Sequence, residues 1–358
     1  MAKLPLDKMA AQLEDIANDI TGDYERRKVY PWDRIAEATA TIAEAVGAEV
    51  PDKKYSTKKA QVADVINAIA DADIGGGGSG GDFAGLVDGT ITKAYDSTVT
   101  SIRDGAFSGC RLLSEIDFPN VEEIGVGAFY GMYSGDADLR VPITSAAFPK
   151  CKTIGYNAFY ECYQLSYISF PECTTIDGYA FSGCPISEAI FPKCTSLQNT
   201  AFGYSWPDNK LEKAIFPKLQ MLGAGTFADF ISLEYTNFSA CESIYSGALK
   251  NCTRLSQLVF PSCKFIHQMA FTSCTSLASL YLLASSMVSL SIRSSTEPIF
   301  SGTLLSTTGH IYVPASLLEN YKNSDYSNPW QYFSSNFVGM TDEEIEAFYA
   351  EYYADEQG

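Results

Sequence analysis

The chain has 358 residues, 46% hydrophobic and 19% charged, which is enough apolar material for a folded core and excludes disorder over most of its length. A formal net charge of −18 repels a phosphate backbone, so nucleic acid and anionic membranes are not expected partners. The two histidines, His267 and His310, stand far apart without paired Cys/His spacing, and no metal or other cofactor is expected.

In chain order, residues 1–74 read as a small α-helical bundle. Met9, Leu13, Ile16 and Ile20 recur at the period of one helix face, Trp32 to Val46 follow Pro31 in the same way, and Val62 to Ile69 follow Ser56-Thr57. So small a bundle is near the lower limit for an independent core, which points to an anchoring or homo-oligomerising role. No apolar signal-peptide core precedes it and no run of about 18 apolar residues occurs, so neither export nor membrane insertion is expected. Residues 75–81, GGGGSGG, form a flexible linker. They also fit G-x-S-x-G, but a nucleophile elbow needs a strand before it and a helix after it. Residues 82–98 read as an N-terminal cap.

From residue 99 the sequence repeats. VTSIRDGAFSGCRLLSEIDFPN (99–120), CKTIGYNAFYECYQLSYISFPE (151–172) and CESIYSGALKNCTRLSQLVFPS (241–262) share C-x-x-I-x-x-x-A-F-x-x-C-x-x-L-x-x-I-x-F-P-x, a period of 22. The turn at 173–193 is one residue shorter. The turn at 121–150 carries an eight-residue insertion and that at 194–218 one of three, giving about nine rungs over 99–314. This period, with Leu/Ile at fixed offsets, predicts a leucine-rich-type solenoid, a right-handed stack of parallel β-strands. One turn cannot bury its own apolar side, so successive turns stack and like columns meet. In Tyr167-Ile168-Ser169-Phe170, Ile168 and Phe170 face inward, and the Ala-Phe pairs, such as Ala158-Phe159, supply one small and one large core residue.

The rung resembles the BspA-like leucine-rich repeat family, and IYVPASLLENYKNSDYSNPW resembles that family's terminal cap, here assigned to 315–340. The resemblance implies a non-catalytic surface that binds proteins or glycans, often on bacterial cells. The order of helical N-terminus, Gly-rich linker, FAGLVDGTITKAYDSTVTSIRDGAF and repeats also resembles proteins of phage and prophage structural regions in gut Firmicutes. That layout implies a phage tail or receptor-binding component, attached to other virion proteins through residues 1–74. A bacterial surface adhesin is the alternative.

Every cysteine falls in one of two columns. Cys151, Cys173, Cys194, Cys241 and Cys263 hold the first rung position, and Cys110, Cys162, Cys184, Cys252 and Cys274 the twelfth. Buried thiols acting as small hydrophobes are expected, since no C-x-x-C pair marks a metal site and stacked Cβ vectors suit a disulfide poorly. Free thiols imply folding in a reducing cytoplasm, with assembly into a virion or display at a cell surface to follow.

Candidate binding residues lie on the outward strand positions: Tyr167, Glu188, Ile190, Lys213, Ile215, Tyr235, Val259 and Tyr281. Tyr amid Ser, Gly and Asn is the composition of adaptable recognition surfaces, while tyrosines packing rung on rung would explain the same residues. Glu115 and Asp117 invite a carbohydrate-active-enzyme reading, but a glycosidase needs a buried, pKa-raised acid in a cleft. The acidic segment 341–358, with seven Asp/Glu and Ile345, Phe348, Tyr349 and Tyr352 at helical spacing, reads as a solvated helix, or as an oligomerisation helix or dock for a basic partner.

Overall fold

A computed structural model describes residues 92–108, 110, 112–131, 141–203, 210–291, 299–325 and 328–354. The helical bundle expected over 1–74, the linker 75–81, the first part of the cap expected over 82–98 and residues 355–358 lie outside the described residues.

Each turn of the coil contributes a longer and a shorter strand, and each kind stacks on its own kind. The longer strands run from Lys93–Tyr95 through Glu115–Asp117, Ser145–Ala147, Tyr167–Ser169, Glu188–Ile190, Lys213–Ile215, Tyr235–Asn237, Gln257–Phe260 and Ser279–Leu282 to His310–Pro314. The shorter strands run from Ser101–Ile102 to Ser289–Ser291. All strand pairs are parallel, as a coil of one hand requires. The register follows the repeat: Lys93 lies beside Glu115, Lys213 beside Tyr235 and Gln257 beside Ser279. Glu123 beside Thr153 and Glu188 beside Lys213 show that the eight- and three-residue insertions leave the columns in register. The stack has about ten turns rather than nine, because Lys93–Tyr95, expected within the N-terminal cap, already pairs as a strand.

Two columns of phenylalanine fill the coil. Phe107, Phe129, Phe159, Phe181 and Phe202 stack face to face, with ring centroids 5.0 to 5.4 Å apart. The second column, Phe118, Phe148, Phe170, Phe191, Phe216, Phe238 and Phe260, meets the first at tilted or edge-on angles. Each fully buried ring contributes roughly 1.5–3 kcal/mol of apolar transfer. Ala128, Ala158, Ala180 and Ala201 are fully buried beside the first column, leaving room for it. Thr226 replaces alanine in one turn, and its hydroxyl is satisfied by donating to the Gly223 carbonyl at 2.9 Å.

The residue before each Ala-Phe pair bends the chain into the left-handed region. The position is held by Gly105, Gly127, Asn157, Tyr179, Thr200, Gly225, Gly247 and Met269, with φ between 56° and 66°. At Gly225 a β-carbon would meet nothing within 4 Å, so only the backbone conformation favours glycine there.

All ten cysteines are free, and nine are buried. Thiols of the first column donate to the carbonyl two residues on, as from Cys151 to Thr153 at 3.3 Å and from Cys241 to Ser243 at 3.4 Å. Those of the second column reach the preceding turn, Cys162 to Phe129 at 3.2 Å and Cys252 to Phe227 at 3.1 Å. Burial pushes the Cys151, Cys194 and Cys241 thiols up to about 12 and raises Cys173 and Cys263 as well.

At the far end, the edge of Ser289–Ser291 and the residue before it are met by side chains. Tyr321, on helix α1 (Leu318–Lys322), accepts from the Val288 amide through its hydroxyl, and Trp330 donates its indole N–H to the Val288 carbonyl at 2.7 Å. Asn328 pairs with both Leu290 N–H and Val288 C=O. These bonds consume groups that would otherwise template another strand. Phe337–Met340 then adds a parallel strand to His310–Pro314.

Two outcomes follow. Gly225→Ala lowers stability by about 1–2 kcal/mol through left-handed strain alone, read as a lower urea midpoint with unchanged circular dichroism. Because the folded thiols hold their protons above the ordinary value of 9.0, their contribution is complete below about pH 9 and declines as pH rises towards 12. The urea midpoint therefore falls across that window, and less steeply in a Cys151→Ala/Cys241→Ala variant.

Candidate functional site

In each longer strand the middle residue points into the coil and its two neighbours point out. Ala189, Ala214, Thr236, Leu258 and Leu280 are the buried middles. The flanking residues form two outward columns, Tyr167, Glu188, Lys213, Tyr235, Gln257 and Ser279 in one, and Ser169, Ile190, Ile215, Asn237, Val259 and Tyr281 in the other.

The structure divides this face. Tyr167 is 60% and Ile190 42% exposed, and Glu188 is exposed between them. Lys213 is half-buried, its ammonium 5.6 Å from the Tyr235 ring centre. Beyond it, the expectation of an open face fails. Ile215 and Val259 are buried, at 6% and 2%, and Tyr235 and Tyr281 are half-buried.

One covering element is helix α2 (Asp342–Tyr352), which lies on the solenoid's own strands. Its start is fixed by a reciprocal cap: the Glu344 amide donates to the Thr341 hydroxyl, and the Thr341 amide to the Glu344 carboxylate. Asp342, Glu343 and Glu344 complement the helix dipole there. Phe348 and Tyr352, one turn apart, present rings to the strands. Phe348 stacks on Tyr281 at 4.2 Å, Tyr281 on Tyr312 at 4.4 Å, and Tyr352 on Tyr235 at 5.4 Å. The Tyr352 hydroxyl donates to the Thr236 carbonyl at 2.9 Å, and Tyr235 donates to the Tyr352 carbonyl at 3.4 Å. The segment expected to be a solvated helix, or to seek another molecule, thus finds its partner within the chain. Its i, i+4 aromatic pair is legible in sequence; the face that receives it is not.

The open part of the face holds a cleft of about 410 Å³, lined by Ser166, Tyr167, Ile168, Ser169, Phe170, Pro171, Ser187, Glu188, Ile190 and Pro192. Tyr167–Ser169 and Glu188–Ile190 are not hydrogen-bonded to each other, one of three such interruptions among the described longer strands. Serine hydroxyls, one carboxylate, a phenol and isoleucine side chains therefore share one concavity. Sequence reasoning singled out Tyr167, Glu188 and Ile190 but not the prolines and serines of the rim.

The turn tyrosines pack rung on rung. Tyr130 stacks on Tyr160 at 5.2 Å, and Tyr156 meets Tyr179 edge-on at 5.7 Å. Burial, with Glu161 alongside, pushes the Tyr160 hydroxyl up to about 12. Glu115 and Asp117 are both exposed on one strand, and Glu115 is paired with Lys93 at 2.7 Å. That is a solvated ion pair rather than an acid and base flanking a substrate.

Stacked parallel turns with repeated apolar columns define a leucine-rich-repeat solenoid. Residues 90–207 and 204–319 match the BspA type Leucine rich repeat region, in 6 copies, and the chain belongs to that family. Solved structures similar to it include a leucine-rich repeat protein from Bacteroides ovatus, 18% identical over 70% of this chain and 84% of that one, with a TM-score of 0.35. A leucine rich cell surface protein from Faecalibacterium prausnitzii is 17% identical over 54% and 73% of the two chains, with a TM-score of 0.25. The pneumococcal vaccine antigen PcpA is 15% identical over 70% and 77%, with a TM-score of 0.29. No curated protein matches the chain.

Removing the ring and hydroxyl in Tyr352→Ala detaches the end of α2. Cleavage within 341–352 in limited proteolysis accelerates by about tenfold, a loss near 1.4 kcal/mol of docking. The solenoid's unfolding free energy in urea stays within about 0.5 kcal/mol of the parent's, because no residue of α2 is fully buried.

Proposed function

We propose that this chain is a non-catalytic recognition protein whose solenoid presents the open end of its strand face to a protein or glycan on a bacterial surface. The observation that supports it is the exposure of Tyr167 and Ile190 beside Glu188 in a cleft on the strand face. Large apolar side chains clustered around a few polar groups are the composition of binding sites. Chemistry on sugars finds no support in the exposed Glu115 and Asp117.

In the finer form of this proposal, the chain is a phage tail or receptor-binding component. Residues 1–74 hold it to other virion proteins, with homo-oligomerisation through the same segment. The sequence order of residues 1–74, the Gly-rich run 75–81 and the repeats supports that reading. Display on a bacterial cell as an adhesin is the competing outcome.

The test is binding of the labelled full chain to intact bacteria and to glycan arrays. Tyr167→Ala/Ile190→Ala is expected to weaken binding by at least about tenfold with an unchanged urea midpoint. Undiminished binding, or sugar release by the purified chain, overturns the proposal. Antibody labelling of virions rather than cell envelopes supports the finer form, and the reverse pattern overturns it.

A further inference from the structure

The molecule contains a worked example of what its strand face binds. α2 is held by two aromatic rings at i and i+4 set over tyrosines of the outward columns, and by a phenol donating to a backbone carbonyl. It crosses the turns: Phe348 sits on the Tyr281 turn and Tyr352 on the Tyr235 turn, nearer the start of the stack. Continued in that direction, the track reaches Lys213 and then the open cleft.

The cleft repeats the features that α2 uses. Tyr167 holds the same column as Tyr235, three turns earlier, and Ile190 holds that of Ile215 and Val259. It differs in charge, since exposed Glu188 stands where α2 meets no carboxylate of the columns, and its neighbour in register is Lys213. α2 carries no lysine or arginine to meet Glu188, and a helix with a basic side chain beside its aromatic pair would be favoured there.

Resting on the recognition reading above, we propose that the cleft at Tyr167, Glu188 and Ile190 receives an amphipathic helix of a protein partner. That helix bears aromatic residues at i and i+4 and a lysine or arginine facing Glu188, and it continues the track of α2.

The probe is a labelled peptide of residues 341–354, in its native sequence and with Glu346→Lys/Glu351→Lys, titrated against the full chain. The lysine-bearing peptide is expected to bind below about 1 mM and more tightly than the native one. Tyr167→Ala/Ile190→Ala in the full chain weakens it at least about tenfold, and Glu188→Gln removes most of its advantage over the native peptide. Phe348→Ala/Tyr352→Ala in the peptide abolishes binding. Because Tyr167 and Ile190 are exposed, an unchanged urea midpoint shows that the variant remains folded. Absence of binding by the lysine-bearing peptide overturns the proposal, as does binding indifferent to Tyr167→Ala/Ile190→Ala, which would mean exchange with α2. Glycan or cell binding that depends on Tyr167, with no peptide binding, sinks the helix partner and leaves the recognition reading standing. Peptide binding without cell binding does the opposite.

Discussion

Everything outside the coil depends on the stacking of two phenylalanine columns within it. A turn of 22 residues has too little interior to bury an apolar side alone, so each ring is covered by the equivalent ring above and below. Centroid separations of 5.0 Å between Phe129 and Phe159 and 5.2 Å between Phe191 and Phe216 are set by ring contact, close to the spacing of hydrogen-bonded strands. Any residue added to a turn must therefore stay out of the columns. The insertions obey this, since strand partners 30 and 25 residues apart still align like with like.

Register in the core imposes register on the surface. Because the middle residue of each longer strand is fixed inward, its two neighbours are fixed outward, and side chains many residues apart line up in columns. Tyr167, Glu188 and Lys213 adjoin for that reason, as do Tyr281 and Tyr312, which stack at 4.4 Å. Such a face is preorganised, so a ligand does not bear the cost of ordering it. The chain covers part of this face with α2. In the turns that α2 does not reach, Tyr167, Glu188 and Ile190 stay exposed.

The fold was legible in sequence because its columns repeat: isoleucine, Ala-Phe, cysteine and F-P return at fixed offsets, and each marks a place in the coil. Lys93–Tyr95 escaped because KAY lacks the F-P ending and the preceding cysteine, although it pairs as a strand. The candidate site was half legible. Alternation identified Ile190, Ile215 and Val259 alike as outward, and local pattern cannot separate them, although Ile190 is exposed and the other two are buried. Phe348 and Tyr352 stood out as an aromatic pair on a helix, but their match to Tyr281 and Tyr235 exists only after the turns have stacked. The cysteine columns were legible for the opposite reason, as thiols such as those of Cys151 and Cys162 bond within their own turn or to the neighbouring one.

The central claim is that one strand face is divided into a covered part and an open part. Hydroxyl-radical footprinting of the intact chain, read tyrosine by tyrosine, tests it most directly. Tyr167 is expected to be modified rapidly and Tyr235 and Tyr281 slowly under the same dose. Equal rates at the three tyrosines would contradict it.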